Sequence, residues 1–143
     1  MEPGTWNPEH GTRNKAKFYY LNQNLHVFIM KTWIEITADS DFSLHNIPFG
    51  IGLIPENGAC ICTRIGDFTI DLSGLARLGY FDHLGLKPTD LQQTTLNDFI
   101  ARGKKMACRV RTLIQECFLE GNSSETDMSL IRQNAVYHAS EIP

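Results

Sequence analysis

The sequence lacks the local motifs of several large enzyme classes. It contains no glycine-rich phosphate loop, no Gly-x-Ser-x-Gly nucleophile turn and no His-Glu-x-x-His pair. Each motif has a physical purpose, since bare backbone amides cradle phosphates, a strained turn exposes a serine and two histidines one helical turn apart hold zinc. Their absence argues against a P-loop nucleotidase, a serine hydrolase of that type and a zinc peptidase.

Long apolar segments are also scarce. The apolar run near the start, Val27 to Met30, is too short to span a bilayer and too far from a charged segment to act as a signal peptide. We therefore expect no membrane partner and a cytoplasmic location. The formal charge of −3 over 143 residues is too small to indicate a partner class.

The four cysteines do not have the spacing of a metal or redox site. Cys60 and Cys62 are predicted to point the same way along one strand, and Cys108 and Cys117 fall within a predicted helix. Neither pair matches a zinc knuckle or a Cys-x-x-Cys centre. Reduced, mostly buried thiols are the expected state, as in a cytosolic protein.

Basic residues are concentrated in one segment. Residues 101–119 hold five bases against one acid, Glu116. Such a helix could bind nucleic acid or an acidic surface. No aromatic side chain is interleaved with the bases, as single-strand binding would require, so a solvated helix face is the favoured interpretation and no nucleic acid partner is predicted. The five bases are Arg102, Lys104, Lys105, Arg109 and Arg111.

The segment from Asp39 to Ser73 is predicted to form the centre of a small β domain. Apolar residues at 68, 70 and 72 alternate with polar ones, which is typical of a half-buried strand. The preceding run, 59–63, alternates as well. Gly66 with Asp67 joins the two runs as a hairpin turn, because glycine readily adopts the positive φ such turns need.

Helices are predicted after this hairpin. Ser73 is the predicted cap of a short helix that stops at Gly79, and Thr95 with Asp98 predicts the start of a long amphipathic helix from Leu96 to about Glu120. The apolar positions of the long helix are Leu96, Phe99, Ile100, Gly103, Ala107, Val110, Ile114 and Cys117. A second helix is predicted over 127–139, capped by Ser124.

Few side chains suggest catalysis. Asp39 and Asp41 are paired carboxylates that a hard cation would accept, but an acidic loop is the commoner meaning of such a pair. His45, His83 and His138 are considered as bases, because an unperturbed imidazole can exchange a proton near neutral pH. His45 and His83 are interpreted as turn histidines satisfied by their neighbours, and no catalytic role is given to His138. No catalytic, cofactor-binding or metal-binding residue is therefore predicted in these 143 residues.

Four short motifs follow one another along the chain: an acidic Ser-Asp-Phe stretch, an Asn-Ile-Pro-Phe-Gly segment, an Ile-Gly-Asp turn with Ile-Asp-Leu after it, and a Thr-Leu-Asn-x-Phe helix entry. In this order they resemble fumarylacetoacetase. These lie at 40–42, 46–50, 65–67 with 70–72, and 95–99. The resemblance covers 33–143.

The resemblance implies an α+β fold in which a small SH3-like β-barrel precedes the long helix and a second C-terminal helix. It also implies an enzyme that hydrolyses 4-fumarylacetoacetate to fumarate and acetoacetate in tyrosine and phenylalanine breakdown. The family enzyme is a cytosolic homodimer whose catalytic domain uses Ca or Mg to polarise the diketone, while a histidine activates water.

The metal-binding motif of the family, Asp-Tyr-Thr-Asp-Phe, does not occur here, and His138 lies ahead of its position. We therefore expect this chain to be inactive alone, with Ca or Mg and the catalytic domain supplied only in the full-length enzyme. Residues 1–32 are expected to be a poorly structured extension, 33–121 the N-terminal domain and 122–143 a helical linker toward the absent catalytic domain. Met30 is an alternative translation start, and a standalone SH3-like protein-interaction module is the alternative function.

Overall fold

The computed structural model describes residues 18–20 and 28–143, with side chains from Met30 onward. The strands are β1 (Phe18–Tyr20), β2 (Phe28–Met30), β3 (Phe49–Ile54), β4 (Gly58–Ile65), β5 (Phe68–Asp71) and β6 (Val136–His138). The helices are α1 (Leu72–Arg77), α2 (Pro88–Leu91), α3 (Asn97–Ala101), α4 (Lys104–Phe118) and α5 (Glu125–Ala135). Two 3-10 helices cover Asp82–Leu84 and Ala139–Glu141.

A four-stranded antiparallel sheet in the order β3-β4-β5-β6 forms the centre of the fold. The predicted hairpin is confirmed, since Ile65 faces Phe68 across a two-residue turn in which Gly66 has φ 57°. The α+β class is confirmed too. The sheet is open over the described residues, with β3 and β6 at opposite edges, so the predicted SH3-like barrel is not confirmed.

Both faces of β5 are buried, which contradicts the half-buried strand predicted there. Ile70 packs into the main core with the helices, while Thr69 and Asp71 on the opposite face are also buried. The end of the chain covers that second face, because Tyr137 pairs with Thr69 and Ile142 packs on the cluster around Cys60. The polar side chains of Thr69 and Asp71 therefore lie under other parts of the chain and are not exposed to solvent.

The predicted long helix is two helices. α3 ends at Ala101, and α4 begins after Gly103, whose φ of 95° is incompatible with a continuous right-handed helix. Gly103 and Ile100 were both predicted to lie on the apolar stripe of the long helix, but both are exposed. The 15 residues of α4 span about 22 Å. Thr95 is not the cap either, since Leu96 occupies that position without a side-chain hydrogen bond.

The C-terminal helix has the predicted cap, but it begins two residues earlier than predicted, at Glu125, and ends at Ala135 rather than at Ala139. The Ser124 hydroxyl accepts a hydrogen bond from the Asp127 N–H at 3.1 Å, and the Asp127 carboxylate accepts one from the Ser124 N–H, so the cap is confirmed. Residues 136–138, predicted as helix, instead form β6 beside β5. β-branched Val136 and aromatic Tyr137 favour a strand once a sheet edge is beside them.

The chain enters the domain through an aromatic contact. Trp33 stacks on Phe118 with ring centroids 5.1 Å apart, and its indole N–H donates to the Cys117 carbonyl at 2.8 Å. Before it, β1 pairs antiparallel with β2, a ladder that the sequence did not predict. Of the extension expected to be poorly structured, residues 1–17 and 21–27 lie outside the described residues, and the domain boundaries at 32 and 121 stay predictions.

Candidate functional site

The carboxylates singled out in the sequence do not form a metal site. Asp39 and Asp41 are both exposed at a chain bend. Within residues 18–20 and 28–143, no group of three or more His, Cys, Asp or Glu side chains is placed to hold a metal ion. Their exposure agrees with the interpretation as an acidic loop.

The three candidate histidines are all exposed. His138 has a structural role, since its Nδ1 lies 2.7 Å from the Ser140 hydroxyl and accepts the Ser140 N–H at 3.3 Å, capping the last 3-10 helix. Its ring also meets Phe68 edge-on. His83 and Glu116 both line two open cavities of about 350 and 470 Å³ between the first 3-10 helix and α4, the first mainly polar and the second mainly apolar.

Glu116, which lines both cavities, has a raised pKa. Desolvation raises the pKa of Glu116, and the nearby His83 charge partly opposes that shift. Such a pair could in principle exchange a proton. The two side chains are not hydrogen-bonded to each other and face broad open cavities, so they do not make an active site.

The thiols are free, and three are buried. Burial raises the pKa of Cys62 to about 12, with the Asp71 charge adding to it, and burial likewise raises the pKa of Cys117 to about 12. The pKa of Cys60 is raised by the same cause. A neutral thiol is a poor nucleophile and metal ligand, so these cysteines pack as small apolar side chains. Cys108 is exposed on α4.

The basic segment is mainly a solvated face, as interpreted from the sequence. Lys104, Lys105 and Arg109 are exposed. Arg102 pairs with Asp90 at 3.2 Å. Arg111 has a structural role, since its Nε donates to the Ile47 carbonyl at 3.0 Å.

Asp71 is a buried charged residue that the sequence did not single out. Its carboxylate accepts hydrogen bonds from the Ser73 N–H at 2.9 Å and the Ser73 hydroxyl at 2.6 Å, and Arg77 lies 3.4 Å away. Asp71 therefore caps α1, and the prediction that Ser73 is the cap was wrong. An aspartate two residues before a serine at a strand end was the signal, since short polar side chains bond to backbone amides just ahead of them.

A groove runs along β3 on the face that the chain end covers. It encloses about 210 Å³. Its floor includes Gly50, Gly52 and Cys62, and Ile142 with Pro143 forms one wall. The groove lies at the edge of the sheet and is open to solvent.

The motifs that carry the family resemblance meet in space. The Gly66 N–H of the hairpin turn donates to the Phe42 carbonyl at 2.7 Å. Phe49 packs edge-on against Phe99, with centroids 4.9 Å apart, and the Arg111 guanidinium lies 4.5 Å above the Phe49 ring. The motifs are therefore packing positions that join the sheet to α3 and α4, not catalytic groups.

A family model described as fumarylacetoacetase N-terminal matches residues 45–143. The chain belongs to the fumarylacetoacetase family. Its similarity to fumarylacetoacetase from Dictyostelium discoideum is 41% identity over 111 residues, or 76% of this chain and 24% of that protein. Identity to the Emericella nidulans enzyme is 38% over 111 residues, covering 74% and 25%, and to the Arabidopsis thaliana enzyme 29% over 117 residues, covering 80% and 28%. The chain thus spans about a quarter of these relatives.

The Ca or Mg ion that the resemblance implies does not fit the residues at hand. Ca takes six to eight oxygen ligands and Mg takes six, and protein carboxylates supply at least one or two of them. The buried carboxylate of Asp71 is bound to Ser73 and Arg77, and no third His, Cys, Asp or Glu side chain in the described part of the chain joins the exposed Asp39 and Asp41 in a metal site. No catalytic step is therefore assigned to these residues.

We also find no helix among the described residues that is long and apolar enough to cross a membrane.

Proposed function

We propose that this chain is the N-terminal domain of a fumarylacetoacetase, an enzyme that hydrolyses 4-fumarylacetoacetate to fumarate and acetoacetate. The family match over 45–143 carries the proposal. The domain contributes a folded support, and the chemistry belongs to the part of the enzyme that this chain does not match. Ca or Mg would bind in that part.

The distribution of polar groups supports an inactive domain. The buried carboxylate Asp71 caps a helix, the buried thiols are held neutral, and the histidines of the described segments, His45, His83 and His138, are exposed. A hydrolase for a diketone needs a Lewis acid or oxyanion donors together with a base that reaches water. The described residues bring no such set together.

Two further properties are proposed from the resemblance. The full-length form is a homodimer, and the protein is cytoplasmic. The second property agrees with four free cysteines, since secreted domains of this size usually pair theirs.

A chimera tests the proposal. The segment of the Dictyostelium discoideum enzyme that aligns with this chain would be replaced by residues from this chain, and loss of the diketone absorbance would be followed with Ca or Mg present. We expect the chimera to hydrolyse fumarylacetoacetate within about tenfold of the parent, and the 143-residue chain alone to show no turnover above buffer with metal.

A core variant of the chimera serves as the control. Ile70 is fully buried, so Ile70→Asp should unfold the grafted domain and lower activity with it. A well-folded chimera without hydrolysis would contradict the proposal, and so would turnover by the chain alone. The alternative, a standalone protein-interaction module, gains support if the chimera stays inactive while the isolated domain is folded.

A further inference from the structure

The two outer strands of the sheet are not equally protected. β3 has six residues, Phe-Gly-Ile-Gly-Leu-Ile, with no proline and no charge, and among the described residues only β4 pairs with it. Soluble proteins normally blunt such an edge with charge, proline, a bulge or covering chain, because unpaired strand backbone recruits other strands. An apolar edge that no described residue pairs with indicates that a further segment covers it.

The side chains of β3 suit an added strand on both faces. On one face, Ile51 is 37% and Leu53 54% exposed, so their apolar surface is available for contact. On the other, Gly50 has no heavy atom within 4 Å of where a Cβ would stand, and the groove of about 210 Å³ lies above it. Because strand side chains alternate, one incoming strand would cover Ile51 and Leu53 and fill the groove together.

The path of the chain indicates where that strand comes from. Ile142 packs so closely that a Cβ on Gly52 would lie 2.9 Å from its Cγ2, and Pro143 lines the same groove. Residues that follow this region in a longer family member therefore begin beside β3. The relatives have about three quarters of their length outside the matched region. A short connection keeps such a segment at high effective concentration.

We propose that the free edge of β3 pairs with a β-strand from the part of fumarylacetoacetase outside the matched region, with apolar side chains of that strand in the groove over Gly50. This inference rests on the proposed function. The added strand would extend the sheet beyond β3 and fix the N-terminal domain against the rest of the enzyme by backbone hydrogen bonds.

Hydrogen exchange tests the pairing. Amide exchange of residues 49–54 would be measured in the isolated 143-residue chain and in the chimera described above. We expect the outward-facing amides of β3 to exchange at least tenfold more slowly in the chimera, with amides of β5 unchanged. Equal exchange of β3 in the two proteins would overturn the pairing. Hydrolysis by that same chimera would show that the proposed function survives, so the two failures are distinguishable.

A matched pair of double variants gives a second test. Ile51→Lys with Leu53→Lys changes the proposed surface, and Ile100→Lys with Leu130→Lys changes apolar residues that are 64% and 42% exposed elsewhere. We expect only the β3 pair to lower the melting temperature of the chimera, by several degrees, while neither pair alters that of the isolated chain. Equal effects of both pairs in the chimera would overturn the proposal. So would concentration-dependent dimerisation of the isolated chain that protects β3, since a second copy would then cover the edge.

Discussion

The two edges of the sheet are built in opposite ways. β6 is only three residues long, runs directly out of α5 and is followed at once by a 3-10 helix, so it offers little unpaired backbone. β3 is six residues long, apolar and bordered by an open groove. The chain itself protects the edge at β6, whereas the backbone at the edge of β3 is not paired by any described residue. The difference shows that burial of the sheet faces and protection of its edges are separate problems in this domain.

The closed edge depends on a close contact between helices. Gly74 in α1 lies against the backbone of Asn134 in α5, and a Cβ there would overlap the Asn134 carbonyl. We expect Gly74→Ala to destabilise the domain by about 3 kcal/mol or more, because backbone cannot yield as a side chain can. Urea unfolding measures the loss, and amide exchange at β6 should rise most. Unchanged stability would mean that α5 is not held against α1 as described.

Removal of the buried cap should cost less. Asp71→Ala deletes the cap of α1 and leaves the Ser73 groups without their acceptor, while Arg77 can still turn toward water. We expect a loss of about 2 kcal/mol in the free energy of unfolding. Asp71→Asn keeps a capping oxygen and should lose roughly half as much. If the alanine variant were as stable as the parent, the Asp71 network would not support the end of β5.

Two glycines on β3 provide an internal comparison. Gly52 faces Ile142 and Cys62, whereas Gly50 faces the open groove. We expect Gly52→Ala to cost about 1 kcal/mol, because the chain end must shift. Gly50→Ala should stay within about 0.5 kcal/mol of the parent. Thermal or urea unfolding of both variants measures the two losses in the free energy of unfolding. Equal losses would mean that the chain end does not pack against β3.

Thiol reactivity gives the smallest but cleanest difference. At pH 8 a thiol reagent should modify Cys108 quickly, and Cys60, Cys62 and Cys117 only on unfolding, because burial raises the pKa of each of the three. The unfolded state loses these thiol protons first, so stability contributed by the neutral thiols is present below pH 9 and falls as pH rises toward about 12. Gly52→Ala should speed modification of Cys62 alone. Four equally fast thiols in the folded protein would contradict the burial of the three.

Local signals predicted the parts of the fold that depend on local chemistry. Gly66 beside Asp67 is sufficient to indicate a two-residue hairpin turn, and Ser124 three residues before Asp127 is sufficient to indicate a helix start. The motifs around Phe49 identified the family. Each of these features is set within a few residues of the chain.

The errors came from contacts between distant segments. Residues 136–138 were predicted as helix because their partner, β5, lies more than sixty positions earlier. Thr69 and Asp71 looked like a solvated face because periodicity does not show that the chain end returns over them. Gly103 was placed on the helix stripe because a three- and four-residue pattern does not show a positive φ. Only Asp71 carried a signal that was available and unused.

The availability of the β3 edge is tested most directly by residue-resolved amide exchange in the isolated chain, under conditions where it is monomeric. Amides of β3 that face away from β4 should exchange nearly as fast as those of an unfolded peptide, while their neighbours paired with β4 and the amides of β5 stay protected to the level of global unfolding. Uniform strong protection along 49–54 in the monomer would show that the edge is already covered and would contradict the account.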